Sequence, residues 1–198
     1  MISVLTSDQE VNKAGSFTIR NSLYRGLPML LIPPVILIAI IYSGNFYFLE
    51  YFHVISGSAW TGMDLVMGLF FSFIMAGLPN DQKLEVSRRL TPTMLFFMPS
   101  ISTTAVTAGI YLALAMHISF VSPYFIAVAV LALVLTIQGL VIFLPNELRV
   151  YLEILGGSKD RSKIVRLTML NIRISTIQLI LQIVIILLMA HFATGVPL

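Results

Sequence analysis

The chain reads as an all-α membrane protein, a polytopic bundle of five transmembrane helices, and three observations carry that reading. Of its 198 residues 58% are hydrophobic and only 11% charged, against roughly 25% charged in a soluble domain, and the mean hydropathy is +0.94. The apolar residues fall in runs of about 20 instead of the ten-residue alternating segments of a membrane barrel, so each run must satisfy its own backbone as a helix. The twelve Lys and Arg residues (Lys13, Arg20, Arg25, Lys83, Arg88, Arg89, Arg149, Lys159, Arg161, Lys163, Arg166 and Arg173) all lie on one side of a five-span chain. A four-span or six-span chain would split them. Positive charge marks the cytoplasmic side, which predicts a cytoplasmic N-terminus, an outside C-terminus and a multi-pass place in the cell (plasma) membrane.

Each element has its own signal. Residues 1–26 form a mixed polar arm with a short surface helix, and lack the small-residue cleavage pattern of a removable signal peptide. Span one, 27–42, is short and interrupted by Pro33-Pro34, which predicts a kink or tilt. Span two covers 48–78, and a polar turn at 79–85 leads to Arg88-Arg89. Span three, 91–117, contains Pro99 with Ser100, Thr104, Thr107 and Tyr111 on one stripe; hydroxyls of this kind re-satisfy carbonyls freed at a proline, and a kink is expected there. Ser122 as N-cap and Pro123 at the first helical position open span four, 123–144, which Pro145-Asn146 closes. A connection, 147–166, carries Gly156-Gly157 and a basic run, and span five occupies 167–192.

Several functions are excluded at once. The absence of cysteine removes disulfides, thiolate metal sites and thiol catalysis. Gly156-Gly157-Ser158-Lys159 lacks the leading glycine of a phosphate loop. In a chain of this hydropathy the basic run 159–166 sets topology and touches anionic lipid; no nucleic-acid partner is expected.

The interior is marked by polar residues at helical spacing. His53, Gly57, Trp60, Asp64 and Gly68 fall at i, i+4, i+7, i+11 and i+15 of span two and share a face. A carboxyl group near the bilayer centre costs a few kcal/mol, so Asp64 is expected to point into the bundle and is the candidate catalytic or proton-relaying residue. His53, His117 and His191 all fall at the outer ends of their spans. Imidazoles are common metal ligands, and facing imidazoles in a helical bundle hold b-type haem. The rival reading has His117 and His191 capping helix ends at the water interface. At about 1.5 Å per residue Asp64 lies about 16 Å below His53, Thr107 about 15 Å below His117 and Gln182 about 14 Å below His191, one shared level. On span five Asn171, Ser175, Gln178 and Gln182 form a polar stripe, with His191 nearly opposite Gln182. The rival for this layer is interhelical hydrogen bonding worth about 0.6 kcal/mol per contact.

His53, Gly57, Trp60 and Gly62 resemble the His-x3-Gly-x2-Trp-x-Gly helix of the membrane superfamily containing the CopD copper-resistance domain and HemJ-type protoporphyrinogen oxidases. Pro99 with Gly109-Ile110-Tyr111-Leu112 is similar to the helix that follows in that group, so the resemblance covers about residues 51–112. It implies a haem- or metal-binding role for His53 and a haem-binding core in spans two to five. The chain differs by an extra span ahead of the motif and by having no basic residue inside span two.

Three functions remain in view. In the first, a redox protein or subunit, His53 and His117 ligate haem b near the outer face, Trp60 packs on the macrocycle, and Asp64 relays protons or contacts a quinone. A copper-handling transporter is the second, with His53, Met63, Met67, Met116 and His117 as ligands; His191 completes the candidate metal set. The third is a non-catalytic subunit of a larger respiratory-type complex, its polar stripes facing other membrane subunits or a second copy of the chain.

Overall fold

In the computed structural model, which describes residues 19–195, 90% of the described residues are helical and none lies in a strand. Among the described residues five helices are long and apolar enough to cross a membrane. They are α1 (Ile19–Ser43), α2 (Phe46–Gly77), α3 (Asn80–Ala115), α4 (Pro123–Leu155) and α5 (Arg161–Thr194). The protein is therefore a multi-pass helical membrane bundle. Their outward faces expose apolar side chains such as Val35, Phe73, Leu133 and Ile183, as contact with lipid tails requires. Lys13 and most of the N-terminal arm lie outside the described residues.

The connections are short and capped. At one end, the histidine end, the Asn45 side chain accepts the Phe48 N–H at 3.2 Å and starts α2, and Ser122 does the same for Phe125 at 3.2 Å ahead of Pro123. At the other, the charged end, Asp160 caps α5 through the Lys163 N–H at 2.9 Å. Ion pairs gather there, Arg89 with Glu85 at 2.8 Å and Lys163 with Glu153 at 3.3 Å.

Helices run further than hydropathy marks. Asn80 to Arg89 continues α3 beyond the apolar span, α5 begins at Arg161, and α4 passes through Pro145 to Leu155. Hydropathy measures the thickness of hydrocarbon, whereas a helix ends where its caps do. α1 likewise continues through Pro33 and Pro34. Pro34 has no N–H for the Leu30 carbonyl four residues back; the Ser100 hydroxyl of α3 donates to that carbonyl at 2.8 Å, so an interhelical bond replaces the missing intrahelical one.

Two π-helical turns interrupt the bundle, Val66–Phe71 in α2 and Gly139–Phe143 in α4. Such turns hold one residue more than an α turn and cluster at functional sites. Just inside the first, Gly68 brings α2 against the backbone of α5, where the Thr176 hydroxyl donates to the Gly68 carbonyl at 2.9 Å. α3 packs along α1 and α2, and α5 packs against α2, α3 and α4. The first half of α4 touches α3 little, while its last turns pack against both α3 and α5. The bundle is consequently splayed at the histidine end and closed at the charged end.

Candidate functional site: a cleft, a buried acid and an inner cavity

The splay leaves a cleft of about 630 Å³ between α2, α3, α4 and α5 at the histidine end. His53 lines it one turn above Gly57. The His53 ring rests against Gly109, where an added Cβ would approach Cε1 to 2.8 Å, and Nδ1 lies 2.9 Å from the Ala105 carbonyl oxygen. A carbonyl only accepts, so Nδ1 carries the proton and a neutral imidazole presents its lone pair at Nε2. A Cβ at Gly57 would meet nothing within 4 Å, so the helix surface beneath the ring is bare backbone beside open space.

Trp60 is buried with Ile101, Ala105 and Leu135. Together with Val106, Leu135 and Thr136 it borders both the cleft and a second cavity of about 190 Å³ nearer the charged end, so these side chains are the partition between the two. Asp64 is fully buried behind that partition. Gln182 Nε2 donates to its Oδ2 at 2.9 Å, Ser175 lies alongside, and Oδ1 has no partner. The Asp64–Gln182 pair thus meets at the level that helical rise assigns to it. Thr107 does not join the pair and lines the second cavity instead.

The other two histidines stand outside the cleft. His117 is exposed, with φ of 53°, and its N–H donates to the Leu114 carbonyl at 3.1 Å while that of Ile118 reaches Ala113 at 3.0 Å. That pattern ends a helix through one left-handed residue, usually glycine; His117 terminates α3. His191 stacks on Tyr124 with ring centroids 3.8 Å apart. Neither lines the cleft with His53. Among the described residues no three His, Asp or Glu side chains are grouped to hold a metal ion. The methionines are divided: Met116 lines the cleft, Met67 the inner cavity, and Met63 packs beside Met67 and Met75.

Glu147, placed by sequence in a connection, lies on α4 and lines the inner cavity with Thr168, Asn171, Ser175 and Gln178. Asn171 Nδ2 donates to Glu147 Oε1 at 2.8 Å, and Asn146 Nδ2 donates to Asn171 Oδ1 at 3.0 Å. One signal was available, the period of Val150, Tyr151 and Ile154 beyond Pro145, which continues a buried helical face.

Fold and site together define a class, a five-span helical membrane protein with a partitioned polar interior. No family model, curated protein or solved structure matches the chain.

Proposed function

We propose that the protein is an integral membrane redox protein, or the redox subunit of a larger complex, which binds a b-type haem in the cleft through His53. The observation that carries this reading is the clamped imidazole, with Nδ1–H on the Ala105 carbonyl and the ring resting on Gly109 at the wall of the cleft. One oriented imidazole in an apolar cleft fits the proximal side of a haem. The group supplies one-electron chemistry when bound; Trp60 closes the floor, and Asp64 holds a proton behind it. The resemblance to CopD- and HemJ-type proteins supports the reading at His53, while the exposure and helix-ending role of His117 favour a single protein ligand over the pair. A quinone would serve as electron partner, entering from lipid past Val54, Ile110 and Leu133, which line the cleft and are exposed on the bundle's side. The dispersed methionines make copper handling the weaker alternative.

The test is one optical spectrum of the membrane-purified protein, oxidised and reduced. A Soret band that disappears in His53→Ala and persists in His117→Ala and His191→Ala is the expected result. A colourless preparation ends the haem reading and leaves the non-catalytic subunit, for which co-purification of companion chains, or a second copy, is the measurement. The proposed orientation, N-terminus in the cytoplasm of a cell-membrane protein, is checked by single cysteines at the exposed positions Asn45 and Lys159. In a chain without cysteine they should label from opposite sides.

A further inference from the structure

We propose that the inner cavity is an exchangeable binding site for one monovalent cation, a proton or an alkali-metal ion, whose countercharge is the Glu147 carboxylate. This goes beyond the haem cleft and does not rest on it.

The argument begins with an excess of oxygen acceptors. Glu147 Oε2, Gln178 Oε1 and Thr168 Oγ1 are buried without a hydrogen-bond partner, and all three side chains line the same 190 Å³ cavity. Gln178 and Thr168 are each only 2% exposed. Buried polar atoms are nearly always paired, so three orphans on side chains that line one space call for an occupant that accepts their lone pairs. The orientation of the amides adds to this. Asn146 engages the oxygen of Asn171 and turns the Asn171 amide toward Glu147 Oε1, leaving Oε2 without an amide donor.

Charge then selects the occupant. Among the described residues Glu147 is the one titratable side chain lining the cavity. The cations nearest in sequence or packing are used elsewhere: Arg88 bonds Ser158 and lies near Glu85, Arg89 pairs with Glu85, and Lys163 with Glu153. Arg149, Arg166 and Arg173 are exposed. The Thr91 hydroxyl of α3 is a neutral hydrogen-bond partner of the Glu147 carboxyl. Water alone would fill the lone pairs and leave one negative charge uncompensated in a buried space, an arrangement that costs several kcal/mol. A carboxylate with neutral oxygen ligands suits a hard ion of single charge, and the proton meets the same need by binding Oε2 directly.

The experiment uses the full-length protein in detergent. Glu147 is probed with a hydrophobic carbodiimide, which modifies protonated carboxyls in apolar surroundings, and the modified residue is read by mass spectrometry. Melting temperature is recorded in NaCl against choline chloride at equal ionic strength, and across pH. The expected result is severalfold stronger Glu147 modification at low pH than at high pH. If Na⁺ also protects Glu147 and raises the melting temperature over choline, the cation is an alkali-metal ion; response to pH alone identifies the proton. Glu147→Gln keeps the shape and should abolish the modification and the Na⁺ or pH response, and Gln178→Leu should weaken both where Glu147→Gln does not fold. No modification at any pH together with no Na⁺ effect overturns the proposal, as does a response unchanged in the variants.

Discussion

Gly68 fixes how closely α2 approaches α5, and through that whether Gln182 reaches Asp64. A methyl group there would sit 2.7 Å from the Thr176 amide nitrogen and 2.9 Å from its Cα, where ordinary contacts between heavy atoms are about 3.5–4.0 Å. The obstacle is backbone, so no side chain can swing aside; the helices must part by nearly an ångström. Overpacking of this kind costs about 1–3 kcal/mol, and stretching the Thr176 to Gly68 hydrogen bond about 0.6 kcal/mol more. Alanine's better helix propensity returns about 1 kcal/mol. Gly62, six residues earlier on the same helix, has nothing within 4 Å of its added Cβ, so Gly62→Ala keeps the gain without the clash. The two variants should differ by roughly 2–4 kcal/mol, and at about 2–4 °C per kcal/mol Gly68→Ala should melt clearly below Gly62→Ala. Thermal unfolding of the detergent-purified proteins followed by circular dichroism measures this. Equal melting temperatures would show that the two backbones are not locked at this crossing, and the geometry derived for Asp64 would go with them.

Two further outcomes follow from single contacts. Gln182→Ala removes the amide that donates to the buried Asp64 carboxyl and should lower stability by about 1–3 kcal/mol, while Asp64→Leu with Gln182→Leu should recover most of it; no recovery in the pair would refute the coupling. At the charged end the Lys163 N–H, followed by the Ser162 hydroxyl, holds the Asp160 carboxyl below its ordinary pKa. A lowered folded-state pKa stabilises above the unfolded value and loses that contribution as pH falls through the folded one. Asp160→Asn keeps a cap without the charge, so its melting temperature should fall less steeply than wild type below about pH 4, and parallel acid limbs would contradict the assignment.

What could be read from sequence follows from what lipid enforces. Apolar runs betray the five spans because no unpaired backbone survives in hydrocarbon, and Ser122-Pro123 betrays a helix start because one residue supplies the cap and the next needs no donor. Asp64 and Gln182 could be matched in height because helical rise is constant and their helices are antiparallel. His117 misleads for a different reason: its imidazole invites a chemical reading, whereas its backbone does the work at φ of 53°, and no periodicity reveals a dihedral angle. Glu147 was hidden by Pro145. Proline in a straight α-helix leaves a carbonyl bare and collides with it, so the pattern Pro-Asn reads as an end.

α4 continues past that proline because the π turn comes first, and the same turn aims Glu147. Pro145 would withhold its N–H from the Val141 carbonyl, and Val141 lies within the π turn Gly139–Phe143, where the α-helical bond pattern is already broken. At about 100° per residue a straight α-helix would turn Glu147 roughly 120° away from the buried Leu135. One residue absorbed by the π turn subtracts about 100° and returns Glu147 to within roughly 20° of it. Val150, Tyr151 and Ile154 are buried on the same corrected face. Removing Val141 while changing Pro145→Ala should convert the π turn to α geometry and leave both flanks aimed as before. Removing Leu133 from regular helix should rotate everything beyond it by about 100° and expose Val150 and Ile154. Both deleted side chains are exposed, Val141 at 65% and Leu133 at 59%, so neither deletion removes core packing, and Pro145→Ala alone serves as the control for the first. The first should keep a cooperative melt and the second lose it; equal damage from both would mean that the π turn does not set the direction of Glu147.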